Sequence, residues 1–288
     1  MIYGDRNTGI LVQGATGQQG AFHIQYMNAY ARSVGGRGVV AGVTPGKGGQ
    51  EVHGVPVYDS VRKAVADHDI GAAVIFVPAA AAPDSIMEEA HAGIPVIVAI
   101  TERIPVHDTM KAIAYARMEG AAVIGPNCPG LISPGEVKLG IIPAHLASRG
   151  PVGVISRSGT LTYEVIHELT RAGIGQSTVV GIGGDPVIGQ TFTDVLERFR
   201  HDPATKAVVV IGEVGGALEE EGVAATALPV VGYIAGVSAP PEKRMGHAGA
   251  IVEGGEGDAA SKIRRMEALG VPVAQRVAEI PALVKELL

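Results

Sequence analysis

The 288-residue chain reads as an α/β protein built from two doubly wound domains. Short runs rich in Val, Ile and Ala recur along its whole length, apolar throughout rather than alternating. That is the pattern of strands covered on both faces of a parallel sheet. Segments with helical spacing lie between them, and strand–helix alternation of this kind builds open sheets with helices on both sides. Glycine is abundant at 41 residues, whereas aromatic residues make up 4% and tryptophan is absent. Tight strand-to-helix turns need that glycine, because it alone enters positive φ without penalty. A chain of this length is also too long for one core.

In the first half the strands are "GILVQG", "VVAGVTP", "AAVIFVP", "PVIVAIT" and "AAVIGPN". The second half supplies "VGVISRSG", "STVVGIGG", "AVVVIGEVGG", "PVVGYIAG" and "AGAIVEGG". Helices are expected over residues 59–67, 84–92, 108–118 and 160–172, each opening near an Asp or Thr able to cap it. The stretch "GPNCPGLISPGEVKLG" reads as loop, and "PAHLASRGP" as the junction before a fresh strand at Val152. The domains are thus expected at 1–147 and 148–288.

A net charge of -6 supports neither a nucleic-acid nor a membrane partner. The longest apolar stretch, "AAVIFVPAAAA", is broken by Pro78 and falls short of the roughly 20 residues a membrane span needs. Charge and glycine come too early in "MIYGDRNTGILVQG" for a secretory signal. Cys128 is the one cysteine; it excludes an intrachain disulfide and suits a reducing compartment. A cytoplasmic location is expected, or the mitochondrial matrix if the source is eukaryotic.

Four glycine-marked segments carry the chemistry. "VQGATGQQGAFH" places Gly14, Gly17 and Gly20 between a strand and a helix, where a pyrophosphate meets backbone N–H groups. The spacing is not the dinucleotide G-x-G-x-x-G, and the second strand ends in "VTPGKGG". Lys47 stands where an acidic residue would hold a ribose hydroxyl, and a lysine suits a phosphate. A phosphorylated nucleotide such as coenzyme A fits better than NAD; a plain tight turn is the alternative. "GPNCPG" holds Cys128 and Pro129 in a rigid loop, where the thiol reads as a buried bystander lining a pocket rather than a nucleophile, and both residues are candidates for the cofactor site.

"SRSGTLTYE" puts Ser156, Ser158, Gly159 and Thr160 at a strand-to-helix turn, able to receive an anion on backbone donors or simply to cap the helix. The fourth is "EKRMGHAGA", where His247 sits between Gly246 and Gly249, together with "IGEVGG", which places Glu213 at a strand end. A carboxylate on imidazole Nδ1–H leaves Nε2 free to attack. An anion site in the same domain makes a phosphoryl group the target, against the plainer reading of a surface histidine in an open loop.

Over nearly its full length the chain resembles the α subunits of succinyl-CoA synthetase (succinate–CoA ligase). The strings "VTPGKGG", "GPNCPG", "SRSGTLTYE", "VGIGGDP", "IGEVGG", "VVGYIAG" and "KRMGHAGAI" carry the resemblance. It implies a Rossmann-like CoA-binding domain followed by a flavodoxin-like ligase domain. It also implies CoA contacts from Thr16, Gly17, Gln18 and Gln19, from Lys47, and from Ile100, Thr101 and Glu102. His247 becomes the phosphorylated histidine, Glu213 its orienting carboxylate, and Tyr163 a residue at the substrate region shared with a β subunit. The chain departs from the family at Arg103 and Ala144, where glycine is usual, in the plain "FVPAAAAPDS", and in a helix before "PVVGY" trimmed to "VAATAL".

The implied reaction joins succinate and CoA at the expense of a nucleoside triphosphate, through a phosphohistidine and an acyl phosphate. The chain has no G-x-x-x-x-G-K-[ST] loop, so ATP or GTP and its Mg²⁺ are expected on an ATP-grasp β subunit. No metal ligands are expected here. Two rivals are a related ligase for another acid such as malate, and a non-catalytic CoA-binding regulatory subunit.

Overall fold

A computed structural model describes residues 2–237 and 257–288. The chain forms two compact units. One comprises Tyr3–Ile142 with Val187–Gly189; the other comprises Ile2, Pro143–Pro186 and the described residues from Gln190 to Leu288.

The first unit holds strands β1 (Ile10–Gln13), β2 (Val39–Val43), β3 (Glu51–Val52), β4 (Val55–Tyr58), β5 (Ala72–Ile75), β6 (Val96–Ala99) and β7 (Ala122–Ile124). They lie in the order β3-β4-β2-β1-β5-β6-β7, all parallel except β3, which pairs antiparallel with β4. Without β3 this is the 3-2-1-4-5-6 order of a Rossmann sheet. Helices α1 (Gln18–Val34), α2 (Val61–Asp67), α3 (Ala82–His91) and α4 (Val106–Met118) make the crossovers. The packing of α3 and α4 buries Ile86, Ala90, Ala112 and Ala116 against Ile75, Ile97 and Val123. On the other side Val61 and Ala64 of α2 pack with Leu11, Ala41 and Ala73.

In the second unit β10 (Arg149–Ser156), β11 (Gln176–Gly181), β12 (Ala207–Glu213), β13 (Val230–Ala235) and β14 (Val273–Ala274) are parallel. Their order, β14-β13-β12-β10-β11, is the flavodoxin 2-1-3-4-5 arrangement read from the other edge. Helices α5 (Gly159–Arg171), α6 (Phe192–Arg200), α7 (Leu218–Ala224), α8 (Ala259–Ala268) and α9 (Ile280–Leu287) accompany them.

The structure corrects several local expectations. The Pro- and Gly-rich stretch read as loop contains an antiparallel hairpin, β8 (Gly130–Ser133) and β9 (Val137–Gly140), in register from Gly130↔Gly140 to Ser133↔Val137. Its glycines mark the hairpin: Gly130 has φ +84 and a Cβ there would strike Leu139 O. The expected acidic caps are not caps. Asp84 and Asp108 lie inside the first turns of α3 and α4, where they act on the helix dipole. Asp59 lies outside α2 and accepts from Gly48 N–H at 2.9 Å. Thr160 is already helical, and Ser158 caps α5. The helix before "PVVGY" lies over Leu218–Ala224 rather than "VAATAL". The expected strand "AGAIVEGG" lies outside the described residues.

Candidate functional site

In the first unit the loops after β1, β2 and β6 emerge at one edge, because the strands run parallel. Gly14, at φ +84, turns the chain sharply out of β1. Its N–H and that of Ala15 both donate to Val43 O, at 2.8 and 3.3 Å, and Gly17 N–H returns to Gly14 O at 3.0 Å. A Cβ on Gly20 would collide with Gly14 O, so only glycine lets helix and turn approach this closely. Gly17 is the N-cap of α1, with no side-chain cap. The first-turn amides of Gln18 and Gln19, both exposed, therefore present N–H donors and the positive helix end to an anion.

Thr16 N–H donates to Thr44 Oγ1 at 3.3 Å, which ties this turn to the end of β2. Lys47 is exposed in the next turn, closed by Lys47 N–H to Thr44 O at 3.1 Å and Gln50 N–H to Lys47 O at 3.2 Å. Asp59 braces that turn through Gly48, and this bond, with Lys63 at 3.2 Å, holds its carboxyl below the usual range.

At the end of β6, Ile100 and Thr101 are half-buried and Glu102 is exposed. Thr101 Oγ1 donates to Val77 O at 2.7 Å, and Thr101 O accepts from Asn127 N–H at 2.9 Å. Those bonds place the Ile100–Thr101–Glu102 turn against the loop of Cys128 and Pro129. The Cys128 thiol is buried and donates to Ala99 O and Ile124 O at 3.3 and 3.5 Å. On α1, burial next to Lys138 lowers His23 to about 4, so its ring is neutral, and it stacks on Phe76 at 5.2 Å. Burial lowers Lys138 itself to about 8.

In the second unit β10 is the switch strand, flanked by β11 and β12; ligands of open α/β sheets bind at that point. Ser156 and Ser158 are buried, Gly159 is half-buried and Thr160 exposed. Ser156 Oγ donates to Ser158 O at 2.9 Å and accepts from Ser158 N–H at 3.0 Å. Ser158 Oγ accepts from Leu161 N–H at 3.3 Å. Both seryl oxygens thus shape the turn, and the main-chain N–H groups of Gly159 and Thr160 lie at the positive end of α5, the kind of end that receives an anion. Tyr163 lies half-buried in the first turn of α5.

Glu213 is the last residue of β12 and is buried. Arg157, from the turn between the two serines, pairs with it at 3.4 Å. Sequence reasoning missed Arg157 and Glu219, which bond Glu213 directly, and Lys262, which pairs with Glu219. The only signals were a basic residue inside "SRSG" and the acidic run "LEEEG". His247 lies outside the described residues. Among the described residues no cluster of His, Cys, Asp or Glu could hold a metal ion, and no helix is long and apolar enough to cross a membrane.

A family model described as CoA binding domain matches residues 5–103, and one described as CoA-ligase matches 155–271. Over 287 residues the chain is 56% identical to the succinate–CoA ligase (ADP-forming) subunit alpha 2 of Archaeoglobus fulgidus, covering 99% of this chain and 98% of that one. The chain belongs to the succinate–CoA ligase α-subunit family. Another member, from Methanothermobacter thermautotrophicus, is 53% identical over 97% of this chain and 94% of its own.

Among solved structures, ATP citrate lyase from Methanothrix soehngenii, in complex with citrate and coenzyme A, superposes with a TM-score of 0.90 at 25% identity. The match covers 99% of this family member and 50% of the lyase chain. A dinucleotide-forming acetyl-coenzyme A synthetase from Ca. Korarchaeum cryptofilum shares the fold, with a TM-score of 0.74 at 22% identity over 94% of this chain and 59% of the other.

Proposed function

We propose that this chain is the α subunit of a nucleotide-dependent ligase that joins succinate and CoA, giving succinyl-CoA, nucleoside diphosphate and phosphate. What carries the reading is Glu213, buried at the end of β12 next to the switch strand β10, in a chain 56% identical over nearly its whole length to a succinate–CoA ligase α subunit. The same relatives are named ADP-forming, which favours ATP as donor. Nucleotide and Mg²⁺ are assigned to an ATP-grasp β subunit.

In the first step neutral His247 Nε2 attacks the γ-phosphorus. The bond to the leaving diphosphate oxygen breaks, and Glu213 holds the imidazole in the attacking tautomer. A succinate carboxylate oxygen then takes the phosphoryl group from nitrogen, forming succinyl phosphate and restoring the imidazole. Finally the CoA sulfur attacks the acyl carbon, the carbon–oxygen bond breaks, and phosphate leaves with the thiol proton. Main-chain donors at Gly159 and Thr160, with the capped turn of Ser156 and Ser158 behind them, offset phosphoryl charge. In the other unit the uncapped N-terminus of α1 at Thr16–Gly17–Gln18–Gln19 and Lys47 receive CoA phosphates. Ile100, Thr101, Glu102, Cys128 and Pro129 form the neighbouring wall, and Tyr163 lies toward the succinate region.

The test is labelling of the chain, assembled with its β subunit, by ATP radiolabelled in the γ-phosphate. Acid-labile, base-stable label that disappears in His247→Asn is expected; label that survives the substitution refutes the mechanism. An acid panel compared by kcat/KM separates succinate from malate.

A further inference from the structure

The second unit buries a chain of charges that no step above uses directly. Glu219 and Lys262 are both fully buried, and Lys262 Nζ lies 2.5 Å from Glu219 Oε2. The other oxygen, Glu219 Oε1, accepts from Glu213 N–H at 3.2 Å and pairs with Arg157 Nη1 at 3.4 Å. Arg157 and Lys262 both donate to Gly215 O, at 3.1 and 2.9 Å. Gly215 N–H donates in turn to Gly257 O at 2.8 Å. Glu220, nearly buried, lies 3.8 Å from Lys262 and from exposed Arg265.

Three segments that must hold one geometry therefore meet at a single carboxylate. Arg157 belongs to the turn ahead of α5, Glu213 to the end of β12, and Lys262 to α8. The strand makes room for this: a Cβ on Gly212 would lie 2.5 Å from Glu219 Cγ. Stability alone does not account for it. Taking such ions out of water is costly, and well-packed apolar residues in their place are often equally stable or more so. What the carboxylate adds is direction: its bonds tie Arg157, the Glu213 main chain and Lys262 to one point.

We propose that Glu219, locked by Lys262 and Arg157, is a positioning residue for phosphoryl transfer, holding the Glu213 main chain and the Ser156–Ser158 turn in one register. The proposal rests on the ligase reading above. Its test uses the enzyme assembled with its β subunit and four variants: Glu219→Gln, Lys262→Arg, Lys262→Met, and the pair Glu219→Gln/Lys262→Met. Thermal unfolding, the single-turnover rate of phosphohistidine formation and the KM for CoA are read for each.

Glu219→Gln is expected to slow phosphorylation by about 100-fold, the scale of an ångström-sized misplacement, with the KM for CoA unchanged. Lys262→Arg keeps most of the rate. Lys262→Met alone takes one of two cations from the buried Glu219 carboxylate and unfolds at lower temperature. The paired variant removes both charges, stays folded and remains slow. A folded paired variant with the wild-type rate overturns the proposal. Absence of label in the wild type overturns the ligase reading instead.

Discussion

Arg103 adopts φ +62, the left-handed region where a Cβ crowds the following carbonyl. The conformation costs roughly 1–2 kcal/mol for a residue other than glycine. Its side chain is largely exposed and reaches Glu102 at 3.3 Å, a surface pair of small worth. Arg103→Gly is therefore expected to stabilise the protein by up to about 1 kcal/mol, part of the relief being offset by the freer unfolded chain. Urea unfolding measures it, and a loss of stability would show that the arginine is held by more than Glu102.

Glu89 presents a different strain. Full burial, reinforced by neighbouring Glu88, pushes its carboxyl well above the ordinary value of 4.5. The folded protein keeps a proton that the unfolded chain releases above that value. Stability must then fall with rising pH from 4.5 up to the folded value, by about 1.4 kcal/mol per unit in the limit of one proton. Glu89→Gln removes this slope, so the variant gains on the wild type as pH rises. Unfolding followed across a pH series tests it, and parallel curves would contradict it.

Among the elements, α5 joins a structural task to a chemical one. Ser158 caps it, and losing such a cap costs about 1 kcal/mol. Ser158→Ala should lower stability by that amount and leave phosphohistidine labelling intact, since the hydroxyl serves Leu161 N–H and the proposed mechanism gives the anion to main-chain donors. Abolished labelling in a folded variant would make the hydroxyl a direct phosphate ligand. The hairpins show where local reading fails. β3 and β4 are joined by His53 and Gly54, at φ 51 and +81, a two-residue turn with both centres left-handed. Asn-Gly announces such a turn in a sequence, and His-Gly does not. β8 and β9 were hidden likewise, because a run dense in Pro and Gly reads as loop although Pro134 and Gly135 make only the turn between two strands.

For the molecule as a whole, each unit places its candidate groups at the carboxyl edge of a parallel sheet, beside the strand where the order reverses. Division of labour between the units makes a separable prediction. Lys47→Ala is expected to weaken CoA binding about tenfold, the loss of the one charge contact to phosphate proposed for it, and to leave phosphohistidine formation unchanged. Calorimetry with CoA and the labelling assay read the two effects independently; a variant impaired in labelling would show that the units are coupled.

The succession of strands and helices, the glycine turns and the placement of Glu213 at a strand end were legible along the chain. They depend on neighbours in sequence: burial pattern, φ preference and the length of an apolar run. Strand order, the β8–β9 pairing and the partners of Glu213 were not legible. Arg157 and Lys262 are far apart in the chain, and nothing in their local composition says they share the Gly215 carbonyl and the Glu219 carboxylate. Only the folded sheet brings those charges together, because a buried ion pair exists solely where the fold excludes water around both partners.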